Sequence, residues 1–319
     1  MRVLITGATG FAGRHLVSLC ASGGCTVTGG GRRPASQADP PAELDDYEAS
    51  DLLDAGQAEA VVRAAAPELV FHLAAQASVA RSWEDPASVI HGNLLSTLRL
   101  LEAVRRHAPE ARVRVACSGE EYGRPEFLPV TEEHPIRPQN PYALSKASVD
   151  MAAGLYSDAY GLLVVRTRAF NHAGPGQAPD YVVAHFARQV ARAEAEGREG
   201  ELVVTTGNID VKRDFTDVRD VVRAYWLALE ECEPGAYNVC SGRSSVIDDI
   251  LAALSRESPL QVRQRTDPAL MRDKEVMDIR GSHDKLTAAT GWQPEIPLER
   301  TLRDTLDWWR DRVGAEVTR

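Results

Sequence analysis

Aromatic residues make up only 6% of this chain, and its 36 basic residues are outnumbered by 46 acidic ones. The net charge of −10 argues against a nucleic-acid surface, while local basic pockets remain available for a phosphorylated small molecule. Cysteine is scarce too. Cys20, Cys25, Cys117, Cys232 and Cys240 form no CxxC pair and no metal-ligand spacing, so no metal site is expected. Five such residues, an odd count, fit reduced and mostly buried thiols. No apolar run reaches the length of a membrane span. The chain opens on a strand-like run, Arg2-Val3-Leu4-Ile5-Thr6, without the layout of a signal peptide. Together these absences predict a cytoplasmic globular protein with neither membrane nor nucleic acid as partner. What is present agrees: 319 residues, 44% apolar and 26% charged, enough for one or two well-cored domains.

The first apolar run leads into Gly7-Ala8-Thr9-Gly10-Phe11-Ala12-Gly13, and Arg14 to Ser22 then has helical periodicity. Strand, glycine turn and helix are the context a dinucleotide site requires. Gly7 allows the tight turn, Gly10 lets the backbone approach a pyrophosphate, and Gly13 lets helix and strand pack closely. Free N–H groups at the helix start, including those of Phe11 and Ala12, then bind the phosphates.

A second strand, read as Cys25 to Thr28, ends in Gly29-Gly30-Gly31-Arg32-Arg33. An enzyme that selects NAD places an acid here for the ribose hydroxyls. Arg32 and Arg33 instead suit a 2′-phosphate, which favours NADP, with NAD as the alternative. Pro34 to Asp46 reads as a surface loop. Asp51-Leu52 follows, where the chain would meet the adenine. Leu69 to Ala75 reads as a buried strand running into a small-residue turn, Leu73-Ala74-Ala75, that passes under the cofactor. His72 within it reads as a satisfied core histidine.

A further strand, Val113 to Cys117, carries Ser118 at its end, followed by Gly119-Glu120-Glu121-Tyr122. Tyr142 and Lys146 come later on a helix, and their i,i+4 spacing puts both on one face. A phenol titrates near pH 10, so acid–base work near neutrality needs a shift of about three units, about 4 kcal/mol. One ammonium about 4 Å away, at an effective dielectric near 20, supplies about that. The spacing therefore predicts Tyr142 as the proton-exchanging group, Lys146 as the support of its phenolate, and Ser118 as a hydrogen-bond partner of the substrate oxygen. In an open parallel sheet, ligands sit beyond the carboxyl ends of the strands. Gly7, Ala74 and Ser118 all follow strand-like runs, so they should converge on one crevice.

GxxGxxG, HLAA, Ser-x-Glu-x-Tyr-Gly and YxxxK together resemble the extended short-chain dehydrogenase/reductase family acting on nucleotide sugars. That resemblance implies an α/β fold: a Rossmann-like doubly wound parallel sheet with a smaller C-terminal α/β substrate-binding domain. The cofactor domain would span 1–170, with returning segments near 213–240, and 171–319 would be mostly substrate-binding and discontinuous. The resemblance places Glu120 among the catalytic residues, as the acid that removes the sugar's C5 proton in the family's dehydratases. The 4-keto-6-deoxy-sugar reductases keep a Glu there as well. Gly119 departs from the Asp of the dTDP-glucose dehydratase pattern.

Later segments carry the resemblance further. Phe170 to Gln177 resembles the GDP-6-deoxy-4-keto-mannose reductases, which implies Asn171 at the substrate. Lys212-Arg213-Asp214-Phe215-Thr216-Asp217-Val218-Arg219-Asp220 resembles the family's R-D-F-x-x-V-x-D segment, which implies Arg213 on the diphosphate. Asp217 and Asp220 read as structural, near a helix start. Arg272 matches a second diphosphate arginine, although Asp273 stands where that pattern has Pro. The implied activity is NADPH-dependent reduction of the 4-keto group of a nucleotide-linked 4-keto-6-deoxy sugar, with GDP as the favoured nucleotide. A 4,6-dehydratase or 4-epimerase that recycles its hydride is the alternative, and a non-catalytic NADP-binding regulator a third reading. The family also implies a homodimer through a four-helix bundle.

Overall fold

Val3 and Ile5 of the first strand fall in one core and Leu4 between them in another, which places a core on each side of a sheet. In a computed structural model that describes residues 1–270 and 275–317, the elements run as follows. The first half has β1 (Arg2–Thr6), α1 (Phe11–Ser22), β2 (Thr26–Gly31), α2 (Ala35–Ala38), β3 (Asp46–Ala49), α3 (Ala55–Ala65) and β4 (Leu69–His72). It continues with α4 (Val79–Glu84), α5 (Pro86–His107), β5 (Arg112–Ser118), α6 (Pro141–Tyr160) and β6 (Leu163–Ala169). The second half has β7 (Asn171–Ala173), α7 (Val182–Ala195), β8 (Glu201–Thr206), β9 (Lys212–Asp217), α8 (Val218–Glu231) and β10 (Gly235–Val239). It closes with β11 (Ser244–Val246), α9 (Ile247–Arg256), β12 (Gln261–Thr266), α10 (Asp284–Thr290) and α11 (Leu298–Val317).

Seven strands form one parallel sheet in the order β10-β6-β5-β4-β1-β2-β3. Val3, Ile5 and Phe71 turn to the face covered by α1 and α8. Leu4, Val70, Val113 and Val115 turn to the face covered by α3, α5 and α6. The chain is thus doubly wound, and its strand order reverses between β1 and β4. A crevice opens where the connections leave in opposite directions, beyond the carboxyl ends of those strands.

A second core lies outside this sheet. Val183, Phe186, Val190, Ile250, Leu254, Leu306 and Trp309 bring α7, α9 and α11 together. Beside them are the parallel pair β8–β12 and the three-stranded β11-β9-β7 sheet. The chain crosses between the two bodies more than once, since β10 returns to the large sheet after β8 and β9.

Two expectations, about the second strand and about the segment after it, are corrected. The strand does not stop at Thr28 but continues through Gly31. Its glycines serve close approach: a Cβ on Gly29 would meet Leu44 at 2.6 Å, and one on Gly31 the Tyr47 hydroxyl at 2.5 Å. The stretch read as a surface loop carries a short helix, and β3 follows directly as the edge strand that supplies Tyr47.

Candidate active site

The glycine turn has the geometry its sequence predicts. Gly7 has φ +76°, and a Cβ on it would lie 2.8 Å from the Ala74 nitrogen. A Cβ on Gly13 would lie 2.1 Å from the Gly7 carbonyl oxygen. These two positions therefore bring α1, β1 and the β4 turn into contact that no other residue permits. Gly10 caps α1 with no side-chain hydrogen bond, and the first turn of the helix holds no acid. The N–H groups at Phe11, Ala12 and Gly13 thus form the positive end of a helix, suited to an anion.

Beside the turn lies a cleft of about 620 Å³, a volume suited to part of a dinucleotide. Gly7, Gly10, Arg32, Arg33, Asp51, Leu52, Leu73, Ala74 and Ala75 line it. Residues singled out from separate stretches of the sequence thus share one continuous space. Arg32 and Arg33 are exposed at its rim, where their charges reach a ligand without a desolvation cost. The Tyr47 hydroxyl donates to the Arg33 carbonyl at 3.0 Å and steadies that rim.

Ser118, Tyr142 and Lys146 stand beyond this lining, and Asn93 joins the two regions. Asn93 is buried. Its Nδ2 donates to the Gln76 carbonyl at 3.1 Å and to Ser145 Oγ at 2.9 Å, while its Oδ1 accepts the Gln76 N–H at 2.8 Å. Gln76 and Asn93 line the cleft; Ser145 lies between Tyr142 and Lys146 on α6.

Ser118 ends β5 and caps the short turn Gly119–Tyr122. Its hydroxyl oxygen accepts the Glu120 N–H at 3.2 Å, so its own proton is left to donate. It is hydrogen-bonded to Tyr142 and draws the phenol's pKa down. Burial is the larger effect, and with Tyr181, Glu120 and Glu121 it pushes that pKa well above the ordinary value. The predicted lowering by Lys146 is therefore corrected. The ammonium donates to the Ala116 carbonyl at 2.8 Å, and burial pushes its own pKa down while Cys117 and Glu121 pull it up. The spacing correctly puts both groups on one helix, but the desolvation of a phenol packed at a strand end outweighs a single cation.

Asn140 caps α6 by accepting the Ala143 N–H at 2.7 Å, and its Nδ2 donates to Glu120 Oε2 at 3.1 Å. Glu120 is thereby tied to the helix that carries Tyr142. His72 is the core histidine its sequence context implies. It sits fully enclosed between Thr6 Oγ1 at 2.8 Å and Thr97 Oγ1 at 3.0 Å, and burial lowers its pKa to about 3.

On the substrate side, Asn171 lies in β7, beside Phe215 of β9. The following loop is fastened to α1: His172 stacks on Phe11 at 5.8 Å, and His15 Nε2 bonds the Pro175 carbonyl at 2.8 Å. Arg213 is partnered within the chain. Its Nη1 donates to the Val276 carbonyl at 2.8 Å, and its Nη2 lies 3.5 Å from Glu275 Oε1. Residues 275–278 run alongside β9, as the Lys212 N–H to Met277 carbonyl bond shows. Arg272 lies outside the described residues. Asp217 and Asp220 are structural as expected. Asp217 caps α8 and binds Arg219, while Asp220 accepts the N–H groups of Glu295 and Ile296.

One group was not anticipated. Glu121 is fully buried, and its Oε1 accepts the Ser118 N–H at 2.7 Å, completing a capping box. The Ser-x-x-Glu spacing was the available signal. An oxygen of Glu121, one of Asp150 and the Cys117 sulfur lie within 4.8 Å of one another. Two carboxylates at that separation repel by about 3 kcal/mol at an effective dielectric near 20. Asp150 is the one that keeps its charge. Burial opposes it, but Arg168 (Nε–Oδ2 2.9 Å) and Arg166 (Nη1–Oδ1 2.8 Å) outweigh that and hold its pKa low. For Glu121, burial and Asp150 push the carboxyl well above the carboxylate range, against Ser118, Arg168 and Lys146.

Comparison with known proteins follows the same lines. The model of a family described as GDP-mannose 4,6 dehydratase matches residues 4–305. The chain is 36% identical over 318 residues to the GDP-6-deoxy-D-mannose reductase of Pseudomonas aeruginosa, covering 99% of each. Its fold matches the structure of RMD from Pseudomonas aeruginosa complexed with NADPH (TM-score 0.84, 34% identity, 98% of this chain and 100% of that one). It also matches UDP-glucose 4-epimerase of Thermus thermophilus in complex with NAD (TM-score 0.84, 34% identity, 97% and 99%).

Proposed function

The chain belongs to the GDP-mannose 4,6 dehydratase family, and on that footing we propose that it is an NADPH-dependent reductase of a GDP-linked 4-keto-6-deoxy sugar. The observation that carries the reading is Ser118 against Tyr142 at the end of β5, joined through Asn93 to a cleft whose rim carries Arg32 and Arg33. NADPH, when bound there, supplies a hydride to the C4 carbonyl. The residues of the chain do the rest. The helix start at Gly10 holds the pyrophosphate, and the two arginines hold the 2′-phosphate. Ser118 holds the carbonyl oxygen, and Tyr142 delivers the proton to it. Burial keeps the phenol protonated, and the Ser118 hydrogen bond works against the rise in its pKa and eases release of that proton. Lys146 supports the cofactor ribose. Asn171 and Arg213 engage the sugar nucleotide, Arg213 by leaving Glu275 for a diphosphate, and Arg272 shares that load. Cofactor binding falls to the large sheet and substrate binding to the smaller body around α7, α9 and α11.

Glu120 favours one second reading. Bound to Asn140 and acting on the Tyr142 phenol, it is available as a base, as a 4,6-dehydratase that recycles its hydride requires. The two readings differ in stoichiometry. With the purified protein and GDP-4-keto-6-deoxy-mannose, the reductase consumes one NADPH per sugar, followed by loss of NADPH absorbance. Turnover of sugar with no net loss of NADPH would establish the recycling enzyme instead.

We assign the protein to the cytoplasm, where five free buried cysteines stay reduced; no described helix is long and apolar enough to cross a membrane. A homodimer is supported by the outer face of α6. Leu144, Met151 and Leu155 are 45%, 67% and 60% exposed there, and their i, i+7, i+11 spacing aligns them as one stripe suited to a partner helix.

A further inference from the structure

Glu121 has no task in the mechanism just given, yet it is the most enclosed acid beside the reacting groups. Its Oε1 takes the Ser118 N–H. Its Oε2 makes no hydrogen bond among the described residues and lies 3.7 Å from Arg168 Nε. The guanidinium of Arg168 is already committed, to both oxygens of Asp150 and to the Tyr122 hydroxyl. The groups that act on Glu121 come from every element around it: Cys117 from β5, Lys146 and Asp150 from α6, and Arg168 from β6. From its own turn and from α6, the Tyr122 and Tyr142 phenols feel its charge. The arginine nearest Glu121 thus gives its bonds to the other acid, and Arg166 binds that acid as well. A carboxyl in that position keeps its proton.

We propose that Glu121 is a positioning residue of the catalytic centre that works as a neutral acid, fixing Ser118 without placing a further negative charge beside Tyr142. The inference rests on Tyr142 as the proton donor. The capping box sets the backbone of Ser118, and with it the direction in which the serine hydroxyl meets the phenol. The protonation state sets the field. An ionised Glu121 strengthens the hold of both Lys146 and Tyr142 on their protons. That makes the phenol a poorer acid toward a developing alkoxide, so turnover should fall as pH rises through the Glu121 transition.

The test pairs infrared spectroscopy with kinetics. Wild-type protein near neutral pH should show the carbonyl stretch of a protonated carboxylic acid, lost on raising pH and absent from Glu121→Gln. Glu121→Leu should lower kcat roughly tenfold to a hundredfold with KM for both substrates little changed. Glu121→Gln, which can still accept the Ser118 N–H, should recover most of that loss and lack the alkaline decline of kcat. The proposal is overturned if no such acid band exists near neutrality, if Gln is as poor as Leu, or if the alkaline decline persists unchanged in Glu121→Gln. Should that variant fail to fold, the wild-type band and its pH dependence decide alone. The band does not depend on turnover, so its loss or survival separates failure of this inference from failure of the Tyr142 assignment.

Discussion

Asn93 Nδ2 donates to the Ser145 hydroxyl at 2.9 Å, and this buried bond joins α5 to the helix that carries Tyr142 and Lys146. The same amide exchanges two further bonds with the backbone of Gln76. Asn93→Ala strands buried polar partners on both sides. The cost is roughly 2–4 kcal/mol of stability, measured by urea unfolding. A raised KM for NADPH should accompany it, because Gln76 lines the cofactor cleft.

The turn at Gly7 to Gly13 makes a steric prediction. A methyl group at residue 13 meets the Gly7 carbonyl oxygen at 2.1 Å, and both atoms are backbone or backbone-fixed. Gly13→Ala should abolish NADPH binding, read by quenching or enhancement of nicotinamide fluorescence. Binding at wild-type affinity would show that the turn does not hold the cofactor.

Cofactor choice falls to the rim of the cleft. Each charge-assisted contact to a 2′-phosphate is worth about 1.5–3 kcal/mol. Replacing Arg32 and Arg33 together with alanine should lower the NADPH to NADH ratio of kcat/KM by roughly two to four orders of magnitude, while kcat/KM for NADH changes little. Steady-state kinetics with each cofactor checks this.

His72 makes folding depend on pH in a stated direction. Its pKa falls from 6.5 to about 3 in the folded chain because burial opposes the charged ring. Below about pH 6.5 the unfolded chain takes up a proton that the folded chain refuses, so stability is full above that value and is lost as pH falls toward about 3. The full loss is about 5 kcal/mol. The urea midpoint should drop between about pH 7 and about pH 4, and His72→Gln should flatten that slope.

Much of this site is legible in the sequence. The three-glycine turn, the small-residue turn after β4, and the pairing of Ser118 with Tyr142 and Lys146 are local patterns with one steric or spacing meaning. His72 was recognisable because it lies inside an apolar strand. What escaped depends on contacts distant in sequence. Tyr142 carries a raised pKa because of how tightly it is packed, which spacing does not report. Glu121 was visible as half of a capping box, but its proton is governed by Asp150, Arg168 and Lys146, which reach it from α6 and β6. Arg213 found a partner in Glu275 that no motif connects to it. The second strand reads as ending at Thr28 because the residues that require the glycines after it, Leu44 and Tyr47, arrive from the segment that follows.

The central claim is that the Tyr142 hydroxyl gives its proton to the sugar oxygen. Tyr142→Phe removes that hydroxyl and keeps the ring. With the GDP-linked 4-keto sugar, kcat should fall by about 10²–10⁴, while NADPH binds within about twofold of wild type. Turnover by the phenylalanine variant at the wild-type rate would contradict the account.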